Sequence, residues 1–332
     1  MRTFNRSLVT VIGCLLILSA CSGGGSSDDD NSNTPTPNGR LYVSDLNEGR
    51  ILSFSNANSV DGNIVPITTV EAINFPAGLA IDSANDYLYV ADSGGVAIAV
   101  FHNASTVTGN TVPDRRITGS LGFPLDLVFD AANDRLFASS LQGINIYDNV
   151  SLLNGLTVPS RRITGQAAGV LFYDASADRL FSRTGSSIHV YDSASTTDGT
   201  HAAEVDRTLA GASTGLGTSE GMFIDSQDRL YVSEQPANSR ILIWNNASTV
   251  DGDLAPDRIV AGAATGLTNP RYMFIDPMTD ELYVINNDPD AVYVFSDAGT
   301  LNGNIAPART LTGAATLLTN LPYGLTVDTT RN

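Results

Sequence analysis

The chain has 332 residues and a formal net charge of −17. All of its basic residues except the histidines are arginines, since it contains no lysine, and this acidic excess argues against binding to nucleic acid or to anionic lipid. Its two cysteines, Cys14 and Cys21, both lie near the N-terminus, so the rest of the chain has no disulfide framework and no thiol chemistry.

The first 20 residues have the organisation of an export signal. Arg2 and Arg6 precede an apolar run over residues 8–18 that is too short to span a bilayer comfortably. The run ends in Leu-Ser-Ala-Cys at residues 18–21, which resembles a bacterial lipobox, whose cysteine is acylated and becomes the mature N-terminus. The resemblance implies a lipoprotein signal peptide over residues 1–20 and a membrane anchor at Cys21. An ordinary secretory signal is the alternative.

Residues 21–38 are predicted to be the acylated cysteine followed by a disordered tether. After Cys21 this stretch consists of Ser, Gly, Asp, Asn, Thr and Pro, with no hydrophobic residue to bury. The residue after the cysteine is Ser22 rather than Asp, which resembles the pattern for sorting to the bacterial outer membrane. The predicted location is therefore the cell envelope, with an exported domain over residues 39–332.

That domain is built from an internal repeat. A phrase that begins Leu-Tyr or Leu-Phe recurs six times at intervals of 44–52 residues, which is the length of a four-stranded propeller blade. It begins at Leu41, Leu88, Leu136, Leu180, Leu230 and Leu282.

Each unit has four predicted strands. The best copy has a first strand that ends in Asp, FPAGLAID (75–82), followed by the second strand LYVAD (88–92) and the alternating third strand AIAVFHN (97–103). A Gly-containing turn, here Thr108-Gly109, favours a positive φ and leads into a polar fourth strand, PDRRITG (113–119). Pro and Arg in the fourth strand suit the edge of a sheet.

The chain begins at a second strand and ends at a first strand. LPYGLTVD (321–328) therefore supplies the missing partner of RLYVSD (40–45), and their pairing closes the array. The predicted fold is an all-β six-bladed β-propeller with four-stranded antiparallel blades. A linear solenoid is the alternative, and it would leave two incomplete ends with exposed apolar strands.

The repeat also carries a family resemblance. The combination of P-x-G-(apolar)-x-(apolar)-D at 76–82 with LYVAD at 88–92, and LYVSD at 41–45 with GRI at 49–51, is similar to the NHL repeat. The resemblance covers residues 39–332. LFASS (136–140) and the next copy, LFSRT, depart from it. It implies the propeller fold but no single activity, because such propellers include hydrolases, lyases and interaction modules.

The resemblance also places the first strands around a central channel, and their N-terminal ends at one mouth of it. An alignment on the terminal Asp shows small or apolar residues at most positions of this mouth. The polar and aromatic exceptions are candidate ligand-binding residues: Asp126, Glu220, Arg271, Tyr272 and Tyr323. A structural ion pair between Glu220 and Arg271 is the alternative.

The ends of the second strands offer a weaker candidate for a metal site. Asp45, Asp92, Glu234 and Asn286 lie at equivalent positions, and Ca²⁺ takes about six to eight oxygen ligands of this kind. Six-bladed lactonases carry a channel calcium, and the comparison with them is an analogy. The alternative is that these side chains cap loops as part of the repeat. Asp at the end of each first strand is interpreted as a turn residue.

Classical catalytic sets are absent from the sequence. The three histidines, His102, His189 and His201, fall outside the predicted channel, and no nucleophile elbow or phosphate-binding loop occurs. We therefore expect a binding module for a protein, a glycan or a small ligand at the channel mouth. The alternative is a metal-dependent, lactonase-like hydrolase that uses Glu220, Asp126 and the rim carboxylates. A purely architectural envelope protein is the third possibility.

Overall fold

The computed structural model describes residues 38–119, 122–235 and 239–331, without the side chains of residues 218–220. The predicted signal peptide, Cys21 and nearly all of the tether lie outside this part of the chain. Within it, six sheets form the six blades of a propeller, as predicted. None of the helices in the described ranges has the length and apolar character needed to cross a membrane.

Each blade has the strand order that the repeat predicts. We number the blades 1 to 6 by their second strands. The inner strands of blades 1 to 6 are β26 (Pro322–Asp328), β4 (Pro76–Asp82), β8 (Pro124–Asp130), β13 (Leu171–Asp174), β18 (Thr218–Ile224) and β22 (Pro270–Asp276). The second strands are β1 (Arg40–Asp45), β5 (Tyr87–Asp92), β9 (Arg135–Ser140), β14 (Arg179–Thr184), β19 (Leu230–Gln235) and β23 (Glu281–Asn286).

The outer half of each blade completes the sheet. The third strands are β2 (Arg50–Ser55), β6 (Ala97–His102), β10 (Gly143–Asp148), β15 (Ser187–Asp192), β20 (Arg240–Trp244) and β24 (Ala291–Phe295). The fourth strands are β3 (Thr68–Val70), β7 (Arg115–Thr118), β12 (Arg161–Thr164), β17 (Arg207–Ala210), β21 (Arg258–Val260) and β25 (Arg309–Thr312). Two further short strands are β11 (Gly155–Leu156) and β16 (Gly199–Thr200).

Helical structure is confined to short connections. One α-helix, α1 (His201–Glu204), leads into β17. The 3-10 helices are Ala57–Ser59, Val150–Leu152, Ala212–Thr214, Ala247–Thr249, Ala263–Thr265, Ala298–Thr300 and Ala314–Thr316.

The core lies between the blades. Both faces of the second and third strands are covered, because each blade is packed between two others, so Leu88 and Tyr89 are both inaccessible to solvent although they point to opposite faces. Trp244 is also fully buried, and its Nε1 donates to the Leu254 carbonyl at 3.0 Å. Burial on both faces explains why these strands are nearly continuous in apolar residues.

The ring closes as predicted, through the two ends of the chain. β1 pairs antiparallel with β26, with Leu41 opposite Val327 and Val43 opposite Leu325. The Gly324 amide donates to Ser44 Oγ at 2.8 Å, across 280 positions of sequence. Blade 1 is therefore made from both ends of the domain.

The fourth strands are less exposed than the sequence suggested. In every blade, the Gly-containing turn of the following blade forms a parallel bridge with the fourth strand: Gly62 with Leu311, Gly109 with Val70, Gly155 with Ile117, Gly199 with Ile163, Gly252 with Leu209 and Gly303 with Val260. The sequence predicts these turns only as tight local connections with a positive φ. They also link neighbouring blades, and in two cases the bridge is long enough to add a fifth, parallel strand to the sheet.

The repeated Asp residues form turns, as predicted. Asp82 Oδ1 accepts hydrogen bonds from the amides of Ala84 and Asn85, both at 3.1 Å. The second acid of the turn has another role: Asp86 has a positive φ of 58° and accepts from the Ser105 amide at 3.0 Å, beyond the third strand. These carboxylates therefore brace the connections within a blade.

Candidate functional site

A central channel of about 220 Å³ runs between the six inner strands. Most of its lining is apolar, with contributions from leucines, methionines and phenylalanines of different blades. Its polar side chains include Asp126 from blade 3 and Tyr272 from blade 6. We call the end of the channel at the N-termini of the inner strands the N-terminal mouth, and the other end the C-terminal mouth.

Asp126 is the buried acid of the channel. Its side chain accepts two backbone hydrogen bonds, from Leu127 at 2.9 Å and from Leu171 of the adjacent blade at 2.8 Å. Asp126 is 4% exposed, and this burial raises the pKa of its carboxyl to about 7, although the two amides and Tyr272 partly offset the shift. The carboxyl can therefore exchange a proton near neutral pH.

Tyr272 comes from the opposite side of the ring and lies beside the Asp126 carboxyl. Its hydroxyl is buried and makes no hydrogen bond of normal geometry with any residue in the described ranges. Burial and the neighbouring Asp126 raise its pKa well above the ordinary value, so the phenol is neutral at physiological pH. The hydroxyl therefore interacts with the Asp126 carboxyl but lacks a well-aligned hydrogen bond, and a buried hydroxyl in that state costs free energy that a bound ligand would recover.

Arg271 and Tyr323 extend this group towards the N-terminal mouth. The Arg271 guanidinium lies over the Tyr323 ring, 5.4 Å from its centroid, and the rings of Tyr323 and Tyr272 are 5.1 Å apart. With the Asn287 amide oriented to satisfy its neighbours, its oxygen accepts from Arg271 Nε at 2.5 Å. Arg271 is 9% exposed, and burial lowers its pKa.

The structure thus brings four of the five predicted mouth residues into one contiguous group: Asp126, Arg271, Tyr272 and Tyr323. Glu220 lies in β18, but its side chain is outside the described part of the structure. The predicted ion pair between Glu220 and Arg271 therefore stays a prediction.

A separate cavity of about 190 Å³ lies at the N-terminal mouth. Its lining includes Tyr323, Leu125 and Leu141. Leu141 is exposed, as are the phenylalanines that precede two inner strands, Phe75 and Phe123. The mouth therefore combines an aromatic and cationic interior with exposed apolar side chains around it, and exposed large apolar groups commonly mark an interaction site.

Arg183, one of the departures from the repeat, also lines this cavity. Its Nη2 donates to Glu234 Oε1 at 3.1 Å and to the Gly217 carbonyl at 3.0 Å, which joins blades 4 and 5. Arg183 Nε and Nη1 are buried without a hydrogen-bond partner in the described structure. Burial lowers the Arg183 pKa to about 10, outweighing the attraction of Glu234.

Each of the four predicted calcium ligands forms an ion pair or a hydrogen bond with nearby residues of the propeller. Asp45 pairs with Arg50 at 3.1 Å, and Asp92 pairs with Arg116. Glu234 accepts from the Gly217 amide at 2.6 Å, and Asn286 Oδ1 accepts from the Thr268 amide at 2.9 Å. Among the described residues, no group of three or more His, Cys, Asp and Glu side chains is placed to hold a metal ion. The calcium site stays a prediction, and these contacts resemble the loop capping that was its alternative.

The channel also contains an aromatic cluster that was not predicted from the sequence. Phe172, Phe223 and Phe274 come from equivalent positions of blades 4, 5 and 6 and line the same space as Asp126. Phe223 contacts its neighbours edge to face, with ring centroids 5.1 Å from Phe172 and 5.3 Å from Phe274. A comparison of the residues two places before the terminal Asp would have found three successive phenylalanines.

The fold of the chain agrees with its similarity to a solved structure. One chain of the crystal structure of a nidogen/laminin complex superposes with a TM-score of 0.59 and 16% sequence identity, over 87% of this chain and 98% of that chain. The chain is a six-bladed β-propeller. At this identity the similarity shows the fold alone. No family model matches the sequence, and no curated protein matches it.

Proposed function

We propose that this propeller is a binding module whose site is the N-terminal mouth and upper channel. The observation that carries the proposal is the convergence of Asp126, Arg271, Tyr272 and Tyr323 from three different blades. All four depart from the small or apolar residues that the repeat places at these positions. Buried polar groups in a channel reduce stability unless they are well paired, so their presence here supports a role in recognition.

The chemistry of the mouth suits an organic ligand. The Arg271 guanidinium lies over the Tyr323 ring, while Asp126 and Tyr272 supply hydrogen-bonding groups deeper in the channel. Exposed Phe75 and Phe123 would extend the contact for a larger partner such as a protein segment or a glycan. The hydrolase alternative lacks comparable support, because the described rim carboxylates are hydrogen-bonded within the propeller itself.

The proposal includes the setting of the module. We propose that residues 1–20 are removed as a lipoprotein signal and that the propeller is an NHL-like domain held in the bacterial cell envelope by lipid on Cys21. Its support is the lipobox-like Leu-Ser-Ala-Cys and the polar stretch that follows. A Cys21→Ala variant should move from the membrane fraction to the soluble fraction. Continued membrane association of that variant would refute the anchor and leave the binding site untouched.

Binding can be tested with melting-temperature shifts of the purified chain against panels of glycans, short peptides and small metabolites. A compound that raises the melting temperature should lose its effect in Tyr323→Ala and in Arg271→Ala. Tyr87→Ala is a matched control, because Arg115 lies 5.5 Å from the Tyr87 ring centroid in a similar arrangement outside the channel. The proposal fails if no compound shifts the melting temperature, or if the shifts survive both mouth substitutions.

A further inference from the structure

Asp126 has an unusual electrostatic environment for a buried acid. Both of its oxygens accept backbone hydrogen bonds, an arrangement that favours the carboxylate. Yet within the described residues no arginine or histidine forms an ion pair with it. A carboxylate that is buried without a counter-ion carries a large desolvation cost, which a bound cation would offset.

The groups that face Asp126 do not supply this positive charge. Tyr272 and Tyr323 present neutral phenols, and Arg271 lies on the Tyr323 ring, where it neighbours Asn287. The Glu220 side chain, on the inner strand between Asp126 and Arg271 in the ring, is outside the described part. Each carboxylate oxygen can accept one further hydrogen bond in addition to its backbone partner, as can the Tyr272 hydroxyl.

The rest of the cavity fits the body of an organic cation. The three phenylalanines, Phe172, Phe223 and Phe274, line the same 220 Å³ as Asp126, which is room for several water-sized groups at about 30 Å³ each. Apolar contact with the rings would remove hydrocarbon from water. The negative faces of aromatic rings also attract a nearby cation.

The C-terminal mouth exposes the same phenylalanines to solvent at a surface with more acidic than basic side chains. Two grooves of about 540 and 600 Å³ open there, one beside Phe223 and Phe274 and the other beside Phe172. Asp225 contributes to both grooves, and Asp280 and Asp228 each contribute to one. Each groove also contains an arginine: Arg229, which pairs with Asp225 at 2.5 Å, lines the first and Arg179 lines the second. With the net charge of −17, the electrostatic field of the whole chain raises the local concentration of cations and lowers that of anions.

We propose that the channel binds a small organic ammonium ion, whose nitrogen donates hydrogen bonds to Asp126 and to the Tyr272 hydroxyl while its apolar body contacts Phe172, Phe223 and Phe274. This inference rests on the proposed function, because it specifies a ligand class for the same channel. It also assigns a role to the phenylalanine cluster. A neutral alcohol would lack the positive charge that offsets the desolvation cost of Asp126. A ligand carboxylate would be repelled by the negative charge of Asp126.

The test uses the full chain and three probes of one length: hexylammonium, hexan-1-ol and hexanoate. Calorimetric titration at pH 8 should show hexylammonium binding most tightly and hexanoate most weakly. Asp126→Asn should weaken hexylammonium about ten- to hundredfold, as expected for loss of a charge-assisted hydrogen bond, with little effect on hexan-1-ol. Asp114→Asn removes the same charge from a half-exposed site and should leave hexylammonium binding unchanged.

The pH dependence provides a second readout. Since the Asp126 pKa is about 7 in the free protein, hexylammonium affinity should fall about tenfold per pH unit below that value, as the acid becomes protonated. Hexan-1-ol affinity should stay flat over this range. If Asp126→Asn does not fold, Tyr272→Phe removes only the hydroxyl and should still weaken hexylammonium several-fold.

Three results would overturn the inference: equal affinity for hexan-1-ol and hexylammonium, hexylammonium binding that survives both channel substitutions, or no hexylammonium binding at all. Its failure can be distinguished from failure of the proposed function. Suppose that a glycan, peptide or metabolite binds in a way that depends on Tyr323, but that the protein does not prefer hexylammonium. The proposed binding function would then still hold, and only the ammonium ligand class would be ruled out.

Discussion

Ser44 and Gly324 meet in the interior of blade 1, where the Gly324 amide donates to Ser44 Oγ at 2.8 Å. The same hydroxyl donates to the Ala77 carbonyl of blade 2 at 2.7 Å. A Cβ on Gly324 would lie 2.3 Å from that carbonyl oxygen, so only glycine permits this approach. One buried hydroxyl of β1 therefore links β26, the last strand of the chain, to β4 of the neighbouring blade.

Removal of the last strand should unfold the domain. Deletion of residues 321–332 takes away β26, leaves Leu41 and Val43 without strand partners and opens the ring. The melting transition should be lost or fall by tens of degrees, since a change of about 1 kcal/mol already shifts the melting temperature by about 2–4 °C in domains of roughly 150–250 residues and the deletion removes the inner strand of a whole blade. Thermal unfolding followed by circular dichroism measures it.

A shorter deletion provides the control for this prediction. Loss of residues 329–332 removes the Arg331 contacts with Asp328 and Asp86 but keeps the whole of β26. That variant should melt within a few degrees of the intact chain. Similar melting of both deletions would contradict the closure.

Glu234 should be essential to stability because of its buried partner. Arg183 and Glu234 are 2% and 1% exposed, so Glu234→Ala leaves an uncompensated guanidinium in the interior. We expect the free energy of unfolding to fall by about 3–5 kcal/mol, as measured by chemical denaturation. The double variant Arg183→Met/Glu234→Met should recover most of this loss.

A partly exposed ion pair tests whether burial, rather than charge pairing alone, accounts for the expected effect of Glu234→Ala. Asp192 contacts both Arg179 and Arg207, but its side chain is 43% exposed. Asp192→Ala should therefore cost no more than about 1 kcal/mol. Equal losses for Glu234→Ala and Asp192→Ala would mean that the interior pair has no special role.

Asp126 should give the protein a specific pH dependence of stability. Its folded pKa of about 7 exceeds the ordinary value of 3.8, so between these values the folded state retains a proton that the unfolded state releases. The free energy of unfolding should then decrease as pH rises from about 4 to 7, by up to about 1.4 kcal/mol per unit. Asp126→Asn lacks this contribution.

The measurement is the difference in unfolding free energy between the two proteins at each pH, since other titrating groups cancel in that difference. The wild type should lose stability relative to Asp126→Asn from about pH 4 to 7 and run parallel to it above pH 8. A constant difference across the range would show that Asp126 is not shifted in this direction.

Much of the fold could be predicted because the same four-strand pattern occurs six times in the sequence. The closure followed from a second strand at Leu41 with no first strand before it, and the pairing with β26 confirms this prediction. The bridging role of the Gly turns could not be predicted, because a turn motif specifies local backbone angles and says nothing about the partner across a blade boundary. Only the assembled ring brings Gly62 beside Leu311.

The candidate site was partly predictable for a related reason. Departures from the repeat identified Asp126, Arg271, Tyr272 and Tyr323, and the inner strands bring them together. The phenylalanines were missed because apolar residues at inner-strand positions do not depart from the pattern. Arg183 departs from the repeat in LFSRT, so its position is unusual from the sequence alone. Its pairing with Glu234 could not be predicted, because it depends on how adjacent blades pack.

The parallel bridges around the circumference have a consequence for the behaviour of the protein among its neighbours. Exposed strand edges are templates on which other chains can add, and they promote aggregation. Here the fourth strand of each blade already forms a parallel bridge with the Gly-containing turn of the following blade. Among the strands described, the propeller therefore presents no continuous unpaired edge. Copies crowded together at high local density can therefore touch without extending one another's sheets.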